Sequence, residues 1–192
     1  LHLLHPREVA SFDAPPEMKI STRLNREPLL PLPEGRLRNP VALVSPEPGA
    51  ICEILPDPAE CRGVSLILDF GRDLIGRLEV RLEAPAGTVV DLTYGEEVWR
   101  QKGDRIRAEY EEYPHYHFAD RYILKAGLNG IGSRVAERGF RMVQLTFRNF
   151  AAPVRILGAR AFGGEYPYVR RGEFHCSDPL LDQIWRLCTD TL

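Results

Sequence analysis

The sequence predicts an all-β protein built as an antiparallel β-sandwich, with a Pro-rich lead-in and one C-terminal α-helix. Three observations predict it. Residues 77–84 alternate without a break, with Leu78, Val80, Leu82 and Ala84 on one face and Arg77, Glu79, Arg81 and Glu83 on the other. This period of two is what a half-buried antiparallel strand requires. The runs on either side keep the same period, Val64, Leu66, Leu68 and Phe70 before it and Val90, Leu92 and Tyr94 after it. The period changes only near the end, where Leu181, Ile184, Trp185, Cys188 and Leu192 take the spacing of an amphipathic helix.

Composition narrows the function classes. A chain of 192 residues that is 44% hydrophobic can bury a core. Its 25 basic and 27 acidic residues leave a net charge of -2, which gives nucleic acid or an anionic membrane no electrostatic hold. No apolar run approaches the ~18 residues that span a bilayer. The first residues, LHLLHPREVASF, lack the apolar core and cleavage site of a signal peptide, and cytoplasmic and secreted locations both stay open. Cys52, Cys61, Cys176 and Cys188 form no metal-like spacing. They read as free thiols, with Cys52 and Cys61 the only two close enough in sequence to bridge.

Three regions follow in order. Residues 1–62 form the lead-in, whose prolines, from Pro6 to Pro58, forbid long ladders. Short edge strands are predicted over 18–24 and 50–55. Residues 63–172 form the sandwich. Within it Gly71 and Gly76 bracket a predicted turn over 72–75, and Ala86-Gly87 makes a second turn, so that 64–97 reads as three strands. Strands are also predicted over 120–126, 140–150 and 154–162, with a Gly-rich connection over 127–132. Residues 173–192 carry the helix, with Asp178 as N-cap and Pro179 at the first helical position. Its apolar face has no stop signal. Together with the missing initiator Met, that leads us to expect a chain cut from a longer one at the start of a helical domain.

Chemistry is sparse. There is no GxSxG, HExxH, P-loop or EF-hand pattern, and Gly71 and Gly76 stand in no strand–turn–helix context for a nucleotide. No cofactor and no metal are expected, since His115-x-His117 offers two ligands and two do not make a site. Glu96-Glu97 and Glu111-Glu112 are adjacent, so on a strand each pair splits between opposite faces and neither suits paired acid–base work. Asp69, Asp73 and Glu96 sit at strand ends, where residues bind ligands but also cap turns. The segment 99–119 is rich in rings, Trp99, Tyr110, Tyr113, Tyr116 and Phe118, beside His115 and His117. A segment this long is a functional loop or contains a hairpin of its own, and its rings either cover an open edge of the sandwich or bind a ligand. Arg141 is either a structural arginine or a donor to ligand hydroxyls.

The order of four motifs resembles the non-catalytic part of bacterial α-L-rhamnosidases and related glycosidases. They are Asp69-Phe70-Gly71 leading to a G-T-x-V-x-L-x-Y-G-E strand over 87–96, an Asp-x-Tyr strand at Asp120, Gly139-Phe140-Arg141-Met142-Val143, and the helix start from Phe174 to Trp185. The resemblance covers roughly 64–192. It implies a jelly-roll, galactose-binding-like sandwich placed before an all-helical barrel that holds the acid and base, with the helix after Asp178 as the first of that barrel. The family's R-D-x-x-W-x-G-D-like catalytic motif does not occur here. No catalytic residue is therefore carried over, and the chain alone is expected to be inactive. The implied partners are a rhamnose-containing glycan, met through the full-length protein, and the barrel itself. Tyr110, Tyr113, His115, Tyr116 and Arg141 are the candidate sugar contacts. The alternative is a free-standing carbohydrate-binding or structural module.

Overall fold

The computed structural model describes residues 2–4, 7–14, 30–45, 47–57, 63–96, 98–101, 105–108, 119–164, 169 and 171–190. The lead-in supplies β1 (His2–Leu4), β2 (Glu8–Ala14), β3 (Leu30–Pro31), β4 (Leu37–Arg38), the short helix α1 (Val41–Val44) and β5 (Cys52–Ile54). The alternating centre becomes β6 (Gly63–Ala84) and β7 (Val89–Gly95), followed by β8 (Val98–Gln101) and β9 (Arg105–Ala108). The remaining elements are β10 (Ala119–Ile123), β11 (Gly127–Ile131), β12 (Arg138–Arg148), β13 (Val154–Gly163) and α2 (Pro179–Asp190). Short prolyl segments yield short edge strands, as expected, and the strand predicted over 50–55 is β5. The one predicted over 18–24 lies outside the described residues.

One strand builds both layers. The first half of β6 pairs antiparallel with β12, from Val64↔Phe147 to Asp69↔Met142, and on its other side with β2. Beyond β12 come β7 and then β10. The second half pairs with β13, from Gly76↔Gly163 to Glu83↔Arg155, and with β11. Beyond β13 come β1 and β5, and β4 lies beyond β5. The eleven strands are thus hydrogen-bonded continuously through β6, while their apolar faces close on a common core. Val64, Leu66, Leu68, Leu145 and Phe147 from one layer meet Leu78, Val80, Leu82, Ile156 and Ala161 from the other. Burying a side chain of this kind is worth about 1.5–3 kcal/mol.

The turn predicted over 72–75 is not there. β6 is a single strand of 22 residues, and residues 70–73 stand opposite Arg141 alone, between the pairs Asp69↔Met142 and Leu74↔Phe140. Gly71 adopts φ +79°, so the glycine absorbs extra residues in a bulge that bends the strand without reversing it. β12 runs beside both halves and holds them in line. The connection predicted over 127–132 is also a strand, β11. The Asn129 side chain bonds back to Lys125 O and Gly127 O at 2.9 and 2.7 Å, which sets the turn and delivers the glycines to the edge of β6. The turn at Ala86-Gly87 does exist, with Gly87 at φ +83°. It carries the chain from one layer to the other rather than closing a hairpin, since β7 pairs with β12 and β10.

α2 forms as the spacing predicts. Asp178 Oδ1 accepts the Leu180 N–H at 2.9 Å, the bond an N-cap makes. Its apolar side chains remain exposed, Leu180 at 60% and Ile184 at 46%. No helix of the described residues is long and apolar enough to cross a membrane.

Candidate functional site

The motifs that lie far apart in sequence converge where β6 bends. Gly71 N–H donates to Asp69 Oδ1 at 2.7 Å, and Arg141 closes on the same carboxylate through Nε and Nη2, both at 2.9 Å. A bidentate guanidinium and a backbone donor thus lock the bulge. Burial opposes the charge on Asp69, but the Arg141 bonds, the Gly71 N–H and the neighbouring Arg7 and Arg141 charges outweigh it and hold its carboxyl below its ordinary range. Beneath the bulge, Phe70 meets Phe140 edge-on at 5.8 Å and Phe140 meets Tyr94 at 5.3 Å. Arg138 lies over the Tyr94 ring at 5.0 Å and donates from Nη2 to Asp120 Oδ1 at 2.7 Å. Among the described residues the buried Tyr94 hydroxyl and Asp120 Oδ2 have no hydrogen-bond partner. Burial, followed by the Asp120 charge, pushes the Tyr94 phenol far above its ordinary range.

This corner is a clamp. Asp69 and Asp120 are each engaged by an arginine.

The outer face of the first layer differs from expectation. Ser65, Asp91, Thr93, Gln144 and Thr146 point away from the apolar core, yet each is buried. Three of them bond one another: Ser65 Oγ and Thr146 Oγ1 lie 2.8 Å apart, and Gln144 Nε2 donates to Thr146 Oγ1 at 3.2 Å. Asp91, fully buried, takes Arg121 Nε and Nη2 at 2.7 and 2.9 Å and is also bonded by Arg148. The reading of a wet polar face fails here, because polar side chains that pair laterally can be covered without being orphaned. The expectation holds on the second layer, where Glu79 and Glu83 meet Arg160 and Arg155 at the surface.

A cleft of about 440 Å3 opens on that second, charged face, lined by Arg77, Glu79, Ser133, Arg134 and Phe162, with Leu78 and Ile131 behind them. Two cross-strand pairs, Arg77↔Phe162 and Glu79↔Arg160, place its wall. Arg77 Nη1 donates to the Arg134 carbonyl at 2.7 Å, while its shielded Nε–H has no partner among the described residues.

Of the candidate sugar contacts, Arg141 belongs to the clamp, and Tyr110, Tyr113, His115 and Tyr116 lie outside the described residues, as do His117 and Cys61. Of the two alternatives for that segment, a hairpin is present: β8 paired with β9. Cys52 is a buried free thiol that burial, and then the Glu53 charge, pushes up to about 12, which makes it inert. Cys176 and Cys188 are free and exposed. Among the described residues no group of three or more His, Cys, Asp or Glu side chains is placed to hold a metal. Sequence reasoning missed Asp91, Arg138 and the cleft. Asp91 alternates with Val90 and Leu92 as any wet residue would, and only the pairing of β10 and β12 beside β7 reveals its two arginines.

The bent, two-layer antiparallel arrangement defines a β-sandwich domain. Residues 60–160 match the family model of the bacterial alpha-L-rhamnosidase concanavalin-like domain, and the chain belongs to that family. A GH78 family rhamnosidase of Bacillus sp. GL1 is similar at 27% identity and a TM-score of 0.63, over 82% of this chain and 15% of that one. A rhamnosidase from Klebsiella oxytoca, solved with rhamnose bound, shares the fold at 15% identity and a TM-score of 0.50, over 98% of this chain and 35% of that one. Chitosan-binding module 1 of a Paenibacillus sp. IK-5 chitosanase/glucanase is similar at 8% identity and a TM-score of 0.46, over 85% of this chain and all of the module. No curated protein matches. The chain spans 15% and 35% of the lengths of the two rhamnosidases.

Proposed function

We propose that this chain is the sandwich domain of a longer glycoside hydrolase acting on rhamnosyl or related bonds, and that it docks on that enzyme's helical catalytic domain. The observation that carries this is α2. Leu180, Leu181, Ile184, Trp185 and Leu187 are all more than a third exposed, and Phe174 packs only partway onto Trp185, at 5.7 Å between ring centroids. An isolated helix of 12 residues is marginal in water and gains its stability by packing its apolar face. Family membership supports a helical neighbour as the cover. On this reading residues 1–62 brace the sandwich, 63–172 form it, and 173–192 begin the next domain. The acid that protonates the glycosidic oxygen and the carboxylate that activates water belong to the neighbour. Tyr110, Tyr113, His115 and Tyr116 are the glycan contacts this reading assigns to the sandwich rim, on their ring content alone.

The test compares the 192-residue chain with the full product of its gene in hydrolysis of an aryl α-L-rhamnoside. The full product is expected to turn over and the chain alone to be inactive. Ile184→Asp in the full product is expected to lower the yield of folded enzyme. A stop codon directly after Leu192, or a full product without glycosidase activity, sinks the reading and leaves a free-standing module.

A further inference from the structure

We propose that the cleft on the second layer binds an acidic sugar, a hexuronic acid residue. Among the described residues Arg121, Arg138, Arg141, Arg148, Arg155 and Arg160 each meet a carboxylate. Arg77 and Arg134 face the same cleft and make no ion pair among the described residues. The Arg134 carbonyl anchors Arg77 at Nη1, and no carboxylate among the described residues pairs with its charge. An anchored guanidinium beside a second, exposed one is suited to a carboxylate.

The other walls choose the rest of the ligand. Phe162 lines the cleft, with Arg160 over its ring at 5.4 Å from the centroid, and an aromatic ring is the kind of surface on which the C–H face of a pyranose rests. Glu79 is held by Arg160 at 3.2 Å. It keeps acceptor capacity for a sugar hydroxyl and disfavours a small, fully charged anion placed close by. Ser133 Oγ accepts the Ala136 N–H at 2.8 Å, which leaves its own proton to donate. Gly132, at φ +121°, brings the loop so close to β6 that a Cβ would lie 1.9 Å from the Leu78 carbonyl. The wall carrying Ser133 and Arg134 is therefore fixed by packing rather than by a ligand. The volume of about 440 Å3 falls within the roughly 300–1,000 Å3 of small-molecule sites. The choice of a sugar rests on the glycan reading above, whereas the choice of an anion does not.

The test is a 1H–15N titration of the 192-residue chain with methyl β-glucuronide, its neutral isostere methyl β-glucoside, and inorganic phosphate. The glucuronide is expected to shift amides of residues 130–134 and 77–79 and to saturate at low millimolar concentration. The glucoside should bind at least about tenfold more weakly, the worth of one charge-assisted contact. Arg134→Gln, an exposed change that leaves the packing intact, should weaken the glucuronide about threefold to tenfold, and Arg77→Gln by more. Equal affinity for glucoside and glucuronide, phosphate binding as tight as glucuronide, no shift at about 20 mM, or indifference to both substitutions each overturns the proposal. None of these outcomes bears on rhamnoside hydrolysis by the full gene product, so the two readings fail separately.

Discussion

The two halves of β6 carry the same alternation into opposite surroundings. In residues 64–69 every side chain except Asp69 is buried, on both faces. In residues 77–83 the apolar members are buried and the charged ones reach solvent. A period of two reports which side chains are polar and says nothing about whether the polar ones are wet. What decides is lateral pairing. Ser65 bonds Thr146 across two adjacent strands and Gln144 bonds the same Thr146, while Asp91 is bonded by two arginines from its flanking strands. The second half has only pairs between neighbours at the surface, which water screens.

This contrast can be broken at its strongest point by Asp91→Ala. Removing a fully buried carboxylate strands Arg148 and releases Arg121, and the expected loss is about 3–5 kcal/mol in urea denaturation. A loss near that of a surface change would show that the covered face is effectively wet. Acid tests the bend between the halves. Asp69 has its folded pKa held below the ordinary carboxylate value of about 3.9. Its stabilising contribution is therefore complete above that value and is lost as pH falls through the lower, folded pKa. Melting followed from pH 5 downward should fall less steeply in Asp69→Asn, and parallel curves would rule out the clamp. The smallest effect belongs to the second half. Glu83→Gln breaks the pair with Arg155, whose side chains are 39% and 42% exposed, and should cost no more than about 0.5 kcal/mol.

Much of this was legible in the sequence, for reasons that also mark where legibility ends. The core face of β6, β7 and β12 follows from Leu, Val and Phe at every second position, and α2 follows from its spacing and from Asp178. The bulge does not, because Gly71 and Gly76 offer the freedom for a turn or for a bend, and the choice belongs to β12, which is some seventy residues away in sequence. β11 was hidden for a related reason: Gly127, Asn129 and Gly130 have no strand propensity and form a strand because β6 presents an unpaired edge. The clamp was legible as motifs but not as contacts. Asp69 and Arg141 stood out singly, and only the register of β12 brings one onto the other.

The pairing of β1 with β13 sets a condition on timing. Leu3 lies opposite Phe162, and β13 is also the partner of the second half of β6. A strand made before the rest of the sandwich thus joins one that is among the last of the sandwich to be made, and the second layer cannot be completed until about residue 163 has emerged. Contacts so distant in sequence slow folding and keep partly paired edges exposed during synthesis. Until then β1 and the outer edge of β6 wait for the same strand, so the lead-in is the piece of this domain most dependent on protection while the chain is being made.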